Sequence, residues 1–588
     1  MTDPLCSHVK EERENWASSA DWTAPEFEKP EHYCSRFPED CDKANRLEVN
    51  PETRFLIDSH GRTVLLHGVN AIYKVDPYIP SQGDFDPDNS LNDEDIANLK
   101  KWGMNFMRLG VMWEGVEREA GKYDMAYLDK VEALINKLGE AGIYTLVDAH
   151  QDVFARYLCG EGVPDFYAQK IVGKHPSCIN PLVDRILQSY YDSHGYPCAD
   201  MNDLGYRVDD NGDYLIEDCL QEMFANYYNT KQSVTAFGAL FKNKHHMNDK
   251  FVAYWDATSA RFAHNPYVIG YDPLNEPYPA NNVSDPTLYI PGVMDRKHLQ
   301  PTYASIFDKY IKNDKKAIQW FEPVTNPDVN GWLDGGTIFP VGFDVPPGAD
   351  IGSKNHVLND HTYCCQLGGD PSPCATGEPD PALADECLTW HRKRIGTRAT
   401  DAERLGVPLH ITEFGACLSE GPCTQEITQV CDVADEYLVG WAYWQFKYYA
   451  DLTTSAGTGS EGFYNADGSL QDWKAKALSR SYLQFTQGVL TKQVFNSETA
   501  ALDAQFTVKT DIHAPTVIYQ NSEYWCGTSG CSCTYSTEDG HRLHKDSFTE
   551  HISKDGQYTH VHITDPKLND RAITVSCAKN SATEVFLE

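Results

Sequence analysis

Two glutamates carry the chemistry that this sequence suggests. Residues 268–279 read Val-Ile-Gly-Tyr-Asp-Pro-Leu-Asn-Glu-Pro-Tyr-Pro. The run opens apolar and β-branched, as a buried strand does, and Pro277 stops the ladder directly after Asn275 and Glu276. Glu413 ends a second such run, Leu409 to Thr412, and is followed by Phe414 and Gly415. Carboxylates at the tips of two separate buried strands suit glycoside hydrolysis. There, one protonated carboxyl serves the leaving oxygen, and one carboxylate attacks carbon or activates water. The plain alternative for a lone Asn-Glu-Pro is a loop glutamate that caps the next helix. Recurrence at other strand ends decides between the two.

Eight apolar runs alternate with helical stretches or long loops: Leu65–Ala71, Met104–Val111, Ile143–Ala149, Val268–Leu274, Ala317–Val324, His356–Asn359, Leu409–Thr412 and Val439–Trp444. Helical spacing marks Asp93–Trp102, stopped at Gly103, then Tyr127–Ala141, stopped at Gly142, and Phe251–His264. Strand–helix alternation about eight times predicts an α/β fold, a closed (β/α)8 TIM barrel. The open doubly wound alternative needs a Gly-rich phosphate loop after its first strand. Here that strand ends Gly68-Val69-Asn70-Ala71.

Active sites of such barrels lie at the carboxyl ends of the strands. Those ends supply Arg108; His150, Gln151 and Asp152; Asn275 and Glu276; Asp360, His361, Thr362 and Tyr363; Glu413; and Trp444 with Gln445. Loops add Lys74, Trp113 and Glu114. Singly, each has a structural explanation: an ion pair for Arg108, hydrogen-bonded core positions for His150 and His361, plain core for Trp444. Polar groups at most strand ends are not what random core decoration produces. Arg108 beside Glu413 would keep that carboxylate ionised, and burial near a tyrosine and a second carboxylate would raise Glu276, as a general acid requires. Lys74 and Asp152 suit sugar hydroxyls as donor and acceptor, and Trp444 offers a platform for a ring. His150, Asp152 and His361 are metal-capable types, but no tight spacing supports a metal, and neither metal nor cofactor is expected.

The chain has 588 residues, more than one domain usually holds, and a formal charge of -36. That charge argues against nucleic acid or an anionic membrane as direct partners. Its 18 cysteines are irregularly spaced, and pairs such as Cys417 and Cys423, or the cluster Cys526, Cys531 and Cys533, read as loop staples made in an oxidising compartment. Residues 1–50 hold no apolar leader core, which fits a mature or trimmed chain, and no apolar run is long enough for a membrane span. One glycosylation sequon, Asn282-Val283-Ser284, accords with secretion. The expected domains are an N-terminal extension (1–52), the barrel (53–488) with a Tyr-, Asp- and Cys-rich insertion at about 153–247, and a small all-β sandwich (489–588) whose segments alternate between Gly, Asn and Asp turns. Within the second of these, Phe55 to Leu66 reads as a hairpin. The insertion is either a lid over a lipid groove or a stapled surface loop; its aromatics Phe224, Tyr227 and Tyr228 favour substrate contact. The vicinal Cys364-Cys365 either stiffens the rim beside Tyr363 or pairs elsewhere.

The ordered set Arg108, His150, Asn275-Glu276-Pro277, His361-x-Tyr363, Glu413-Phe414-Gly415 and Trp444 resembles glycoside hydrolase family 5 of clan A. Finer stretches, residues 67–74 (His-Gly-Val-Asn-Ala-Ile-Tyr-Lys), 109–114, 148–152 and 270–277, resemble the endoglycoceramidase branch of that family. The resemblance implies a retaining hydrolase with Glu276 as acid/base and Glu413 as nucleophile, their carboxyl oxygens about 5 Å apart. It implies a glycosphingolipid substrate, cut between glycan and ceramide, with Lys74, His150, Asp152, Asn275, Tyr363 and Trp444 around the glucose and Arg108 and His361 in support. A monomer is expected, secreted or in a lysosomal or digestive compartment, that touches lipid assemblies transiently. Three alternatives stay open. They are a glucosylceramidase or other β-glucosidase, a cellulase-like endoglucanase (disfavoured by Lys74 and Gln151-Asp152), and a non-catalytic glycolipid-binding protein (disfavoured by the two glutamates).

Overall fold

Buried strands of three to seven residues form where the apolar runs lie: β1 His67–Ala71, β2 Phe106–Gly110, β3 Tyr144–Asp148, β4 Val268–Asp272, β5 Gln319–Phe321, β6 His356–Thr362, β7 Leu409–Phe414 and β8 Gly440–Tyr443. The computed structural model describes residues 22–43, 45–173, 176–179, 198–209, 212–325, 337–364, 380–453 and 461–580. Neighbouring strands pair in parallel in sequence order, and β8 closes on β1 through Trp441–His67 and Tyr443–Val69, giving the closed eight-stranded barrel. Burial of nearly every strand residue follows from helices outside and side chains filling the centre.

The crossover helices include α1 Asp93–Lys101, α2 Met125–Glu140, α3 Met247–Phe262, α4 Gln300–Asn313, α5 Ala384–Leu405 and α6 Glu420–Tyr437. A capping box of Asn92 and Asp95 starts α1. In α2, Leu128, Val131, Leu134, Ile135 and Leu138 form the buried stripe, at the spacing an amphipathic helix requires.

The C-terminal unit is two antiparallel sheets. The four-stranded one orders Gly488–Asn496, Ala501–Val508, Ala572–Lys579 and Cys531–Thr537. The seven-stranded one begins with Glu48–Asn50, Phe55–Ile57 and Thr63–Val64, then continues through Tyr482–Thr486, Thr516–Tyr519, Tyr558–Ile563 and Phe548–Ile552. The expected hairpin is therefore present, with Leu56 opposite Val64, but it belongs to this C-terminal sheet. So short a hairpin has no core of its own and needs further strands.

This unit grips the amino-terminal side of the barrel. Tyr519 and Tyr558 donate to the carbonyls of Lys101 and Lys100, and Tyr482 donates to that of Gly103 (2.8, 3.3 and 2.7 Å). The Tyr519 hydroxyl thus satisfies the Lys101 carbonyl, which the end of α1 leaves without a helical partner. The carboxyl ends of the strands lie on the opposite side.

Seven disulfides join described residues: Cys34–Cys41, Cys159–Cys219, Cys178–Cys198, Cys364–Cys387, Cys417–Cys423, Cys526–Cys531 and Cys533–Cys577. They fit an oxidising, extracellular-type environment. Cys417–Cys423 and Cys526–Cys531 are the expected loop staples, whereas Cys533 leaves its neighbours to join two strands. Cys364 pairs with Cys387 on α5; Cys365 and Cys6 lie outside the described residues. Among the described residues no helix is long and apolar enough to cross a membrane. The sequon is corrected by the fold: Asn282 is buried and its amide donates to the Tyr278 hydroxyl (3.0 Å), so the folded chain accommodates no glycan there.

Gly103 tests the barrel–sandwich contact. Its φ is +81°, and a Cβ built on it would lie 2.3 Å from the Tyr519 ring. Gly103→Ala is expected to lower stability by about 2–3 kcal/mol, from a strained φ plus overpacking, with kcat unchanged; urea unfolding with parallel activity assays measures both.

Candidate active site

Arg108, on β2, is the hub of the strand ends and is completely enclosed. Its Nε donates to Asp272 Oδ2 (3.1 Å), one terminal nitrogen to Glu413 Oε1 (2.5 Å) and Asn70 Oδ1 (3.3 Å), and the other to Asp148 Oδ1 (3.0 Å), Asn275 Oδ1 (2.8 Å) and Glu322 Oε1 (3.3 Å). One side chain thereby sets the positions of groups on β1, β3, β4 and β7 and just beyond β4 and β5. A planar guanidinium suits this task because its five N–H groups point in fixed directions.

Glu413 is buried at the end of β7. Besides Arg108, it accepts from the Tyr363 hydroxyl at Oε2 (2.9 Å). Burial raises its pKa, the Glu276 charge adds to this, and His361 and Arg108 pull it back only in part, so it stays above the ordinary glutamate value. Arg108 thus favours the ionised form, as expected, but does not outweigh burial. Glu276 follows β4 with its side chain about a quarter exposed, at 23%. His361 stands between the two: its Nδ1 is 2.9 Å from Glu276 Oε1 and 3.4 Å from Glu413 Oε2. One carboxyl oxygen of each glutamate and one ring nitrogen of His361 lie within 4.8 Å of one another. Burial disfavours a charged imidazole, but Glu322, Glu413 and Glu276 around it hold His361 well above the usual histidine range.

A second cluster sits beside the first. His150 stacks on Trp444 (ring centroids 5.0 Å apart) and holds Asp148 at Nδ1 (2.9 Å) and Asp152 at Nε2 (3.3 Å). Burial works against its charge, yet these two carboxylates lift its pKa to about 9. Lys74 is buried, with Nζ 2.7 Å from Asp152, 2.9 Å from Asp451, 3.0 Å from Glu161 and 2.6 Å from Thr453 Oγ1, and 5.0 Å from the centre of the Trp444 ring. The expected free ammonium for sugar hydroxyls is instead consumed by protein groups. Burial among these charges raises Glu161 to about 8. Trp444 packs with Ile72 and Met112, with Tyr78 and Tyr363 at the edge of the patch.

The two glutamates, the six residues expected around the glucose, and Arg108 and His361 thus converge at one end of the barrel. Asn275 completes the set, bonded to Arg108 and to the Gln151 carbonyl. Others leave it: Trp113 is core and donates to Glu117, and Asp360 faces outward onto Arg394 and Arg398 of α5. Of the insertion aromatics, Tyr228 reaches Asp152 (3.3 Å) and stacks on Tyr278, whereas Tyr227 is buried and donates to the Cys219 carbonyl. Sequence reasoning missed Glu322, Glu161 and Asp451. Glu322 carried a usable signal, since Phe321-Glu322-Pro323 repeats the strand-end pattern of Asn275-Glu276-Pro277. The trio Glu276–His361–Glu413 and the trio His150–Asp152–Glu161 are compact enough to ligate a metal. In the first, however, the imidazole is a charged donor, and in the second the Lys74 ammonium already lies among the carboxylates.

Three comparisons set this geometry among known proteins. A family model described as cellulase, glycosyl hydrolase family 5, matches residues 58–177 and 208–450. An endoglycoceramidase of Cyanea nozakii is 28% identical over 484 residues, covering 82% of this chain and 86% of that one. Endoglycoceramidase I of Rhodococcus hoagii is 26% identical over 465 residues, covering 77% and 75%. Among solved structures, endo-glycoceramidase II from Rhodococcus sp., a lactosyl-enzyme intermediate, superposes with a TM-score of 0.62 at 20% identity, covering 90% of this chain and all of that one. At that identity the likeness speaks for the fold.

The Lys74 cluster separates two substitutions. Lys74→Met strands buried Asp152 and Asp451 and is expected to cost about 3–5 kcal/mol. Glu161→Gln copies the protonated acid and is expected to be tolerated near neutral pH. Because the folded pKa of Glu161, about 8, exceeds the ordinary value of 4.5 that it has when unfolded, the folded chain holds the extra proton. Its stabilising contribution is full below the unfolded value and drains as pH rises toward 8. Thermal midpoints across that range should fall less steeply in Glu161→Gln than in the parent.

Proposed function

The chain belongs to glycosyl hydrolase family 5, and from that premise we propose that it is an endoglycoceramidase, a retaining hydrolase that cuts the β-glycosidic bond between the oligosaccharide and the ceramide of glycosphingolipids. The observation that carries the mechanism is the approach of Glu276 and Glu413 within 4.8 Å across His361. Retaining glycosidases hold their carboxyls about 5–5.5 Å apart, while inverting ones leave about 6.5–9.5 Å for a water. The substrate assignment is supported by endoglycoceramidase relatives that span 77–82% of the chain. It is also supported by the Rhodococcus enzyme of like fold, whose structures include a lactosyl-enzyme intermediate and a complex with ganglioside GM3.

In this reading Glu413 attacks the anomeric carbon of the ceramide-linked glucose while Glu276 protonates the ceramide oxygen. Water, deprotonated by Glu276, then releases the glycan. Arg108 and Tyr363 aim the nucleophile, with bonds of 2.5 and 2.9 Å to its two oxygens. Trp444, backed by His150, is the platform for the glucose ring, and Asn275 and Asp152 are hydroxyl partners. Lys74 acts on the sugar through Asp152, which it holds ionised and oriented. The enzyme works as a monomer, secreted or in an acidic digestive compartment, and meets its substrate at lipid assemblies.

Mass spectrometry of products from mixed glycosphingolipids should find intact oligosaccharide and free ceramide; glucose as the sole sugar product would reject the substrate assignment. Glu276→Gln and Glu413→Gln should each lower kcat by at least about 10³-fold in folded protein. A 2-deoxy-2-fluoro glycoside should leave its mass on a peptide containing Glu413, and labelling elsewhere would overturn the nucleophile assignment.

A further inference from the structure

One buried acid at the strand ends has no part in the reaction as written so far. Glu322 directly follows β5 and is 3% exposed. Its Oε2 accepts the main-chain N–H of Glu276 (3.0 Å). Its Oε1 lies 3.3 Å from His361 Nε2, 3.3 Å from Arg108 and 3.4 Å from Asn359 Nδ2. The same imidazole that Glu322 meets at Nε2 meets Glu276 at Nδ1. We propose that Glu322 is a positioning residue for Glu276, which it holds twice: by the main chain, and through the His361 ring, whose Nδ1–H stabilises the carboxylate formed when Glu276 gives up its proton. The proposal rests on the retaining reading above.

Two features demand such a brace. Glu276 has φ +38°, a left-handed conformation that an L side chain adopts only when its surroundings enforce it. Its N–H bond to Glu322 lies on one side and the Gln151 amide on its carbonyl (3.3 Å) on the other. The second feature is the order of proton transfer. In the first half-reaction the C1–O bond to ceramide breaks, and its electron pair goes to the oxygen, which takes the Glu276 proton. A bond forms between C1 and Glu413. Glu276 is left as a carboxylate, and the donor within reach is His361 Nδ1. The Glu322 charge 3.3 Å from Nε2 favours the ring with hydrogen on both nitrogens, which keeps Nδ1–H available to donate. Glu322, Glu276, Glu413 and Asp360 are the acids around that ring. They keep it charged although burial opposes this. Burial would by itself raise Glu322, but His361 and Arg108 outweigh it, and neighbouring Asp272 takes the proton instead.

The test compares leaving groups. Ceramide leaves only with a proton, whereas 2,4-dinitrophenolate leaves without one. Glu322→Gln keeps the shape and an acceptor oxygen and removes the charge. For lactosylceramide kcat should fall about 10²-fold with KM near its parental value. For 2,4-dinitrophenyl β-lactoside kcat/KM should stay near that of the parent. Across a series of aryl lactosides, log kcat/KM should depend more steeply on leaving-group pKa. Glu322→Asp keeps the charge but withdraws from the Glu276 N–H and should show the same selectivity with a smaller loss. It carries the comparison if Glu322→Gln does not fold. Equal losses on both substrates, or no loss on either, would overturn the proposal. A parent enzyme that cleaves the aryl lactoside but not lactosylceramide would instead defeat the substrate reading and leave the leaving-group comparison intact.

Discussion

One cation among too many acids shapes this site. Arg108 faces Asp148, Asp272, Glu322 and Glu413, all buried with it. Taking a charge out of water costs several kcal/mol even after relaxation, and a single guanidinium cannot offset four carboxylates. The surplus is settled by protons. Burial and the Glu322 charge hold Asp272 protonated, far above the usual carboxylate range, while His361 and His150 carry positive charge at pH values where free imidazole is neutral. The protonation pattern is therefore a collective property of β2 to β7, and each acid's role depends on who its neighbours are.

The insertion enters that network directly. Glu161 and Tyr228 both reach the Lys74–Asp152 pair, and the Cys159–Cys219 bridge ties the loop bearing Glu161 to the helical segment before Tyr228. A surface decoration would leave Lys74 and Asp152 to the barrel alone. Here the wall around Lys74 and Asp152 is built jointly by the barrel and by a segment the barrel does not need for closure.

Much of this was legible in residue order, because strand ends obey a simple rule. Polar groups that can meet across the barrel gather toward the ends where the chain emerges, and Arg108, Glu276, His361, Glu413 and Trp444 all meet there. Glu322 obeys the same rule and was overlooked because the strand was expected to run on to Val324, whereas pairing ends at Phe321. Asp360 shows the opposite error: strand alternation turns it away from its neighbours Asn359 and His361, onto two α5 arginines. Glu161 and Asp451 lie in loops, where no periodicity marks a side chain that folds back on Lys74. Nor does charge state follow from residue type. His361 is charged because of residues on β4, β5 and β7, far from it in sequence. The hairpin of Leu56 and Val64 was readable as a hairpin, but its sheet was not, since a strand's partner leaves no local imprint.

That last pairing bears on how the chain comes off the ribosome. Thr63 bonds to the carbonyl of Gly488, 425 residues later. Contacts of such separation close last, since loop entropy must be overcome before they give anything back. The segment leading into β1 thus emerges early and stays without its sheet until almost the whole polypeptide has been made. An unpaired edge exposed for that long invites wrong partners. Vectorial synthesis thus leaves these early strands dependent on shielding until the last hundred residues have appeared.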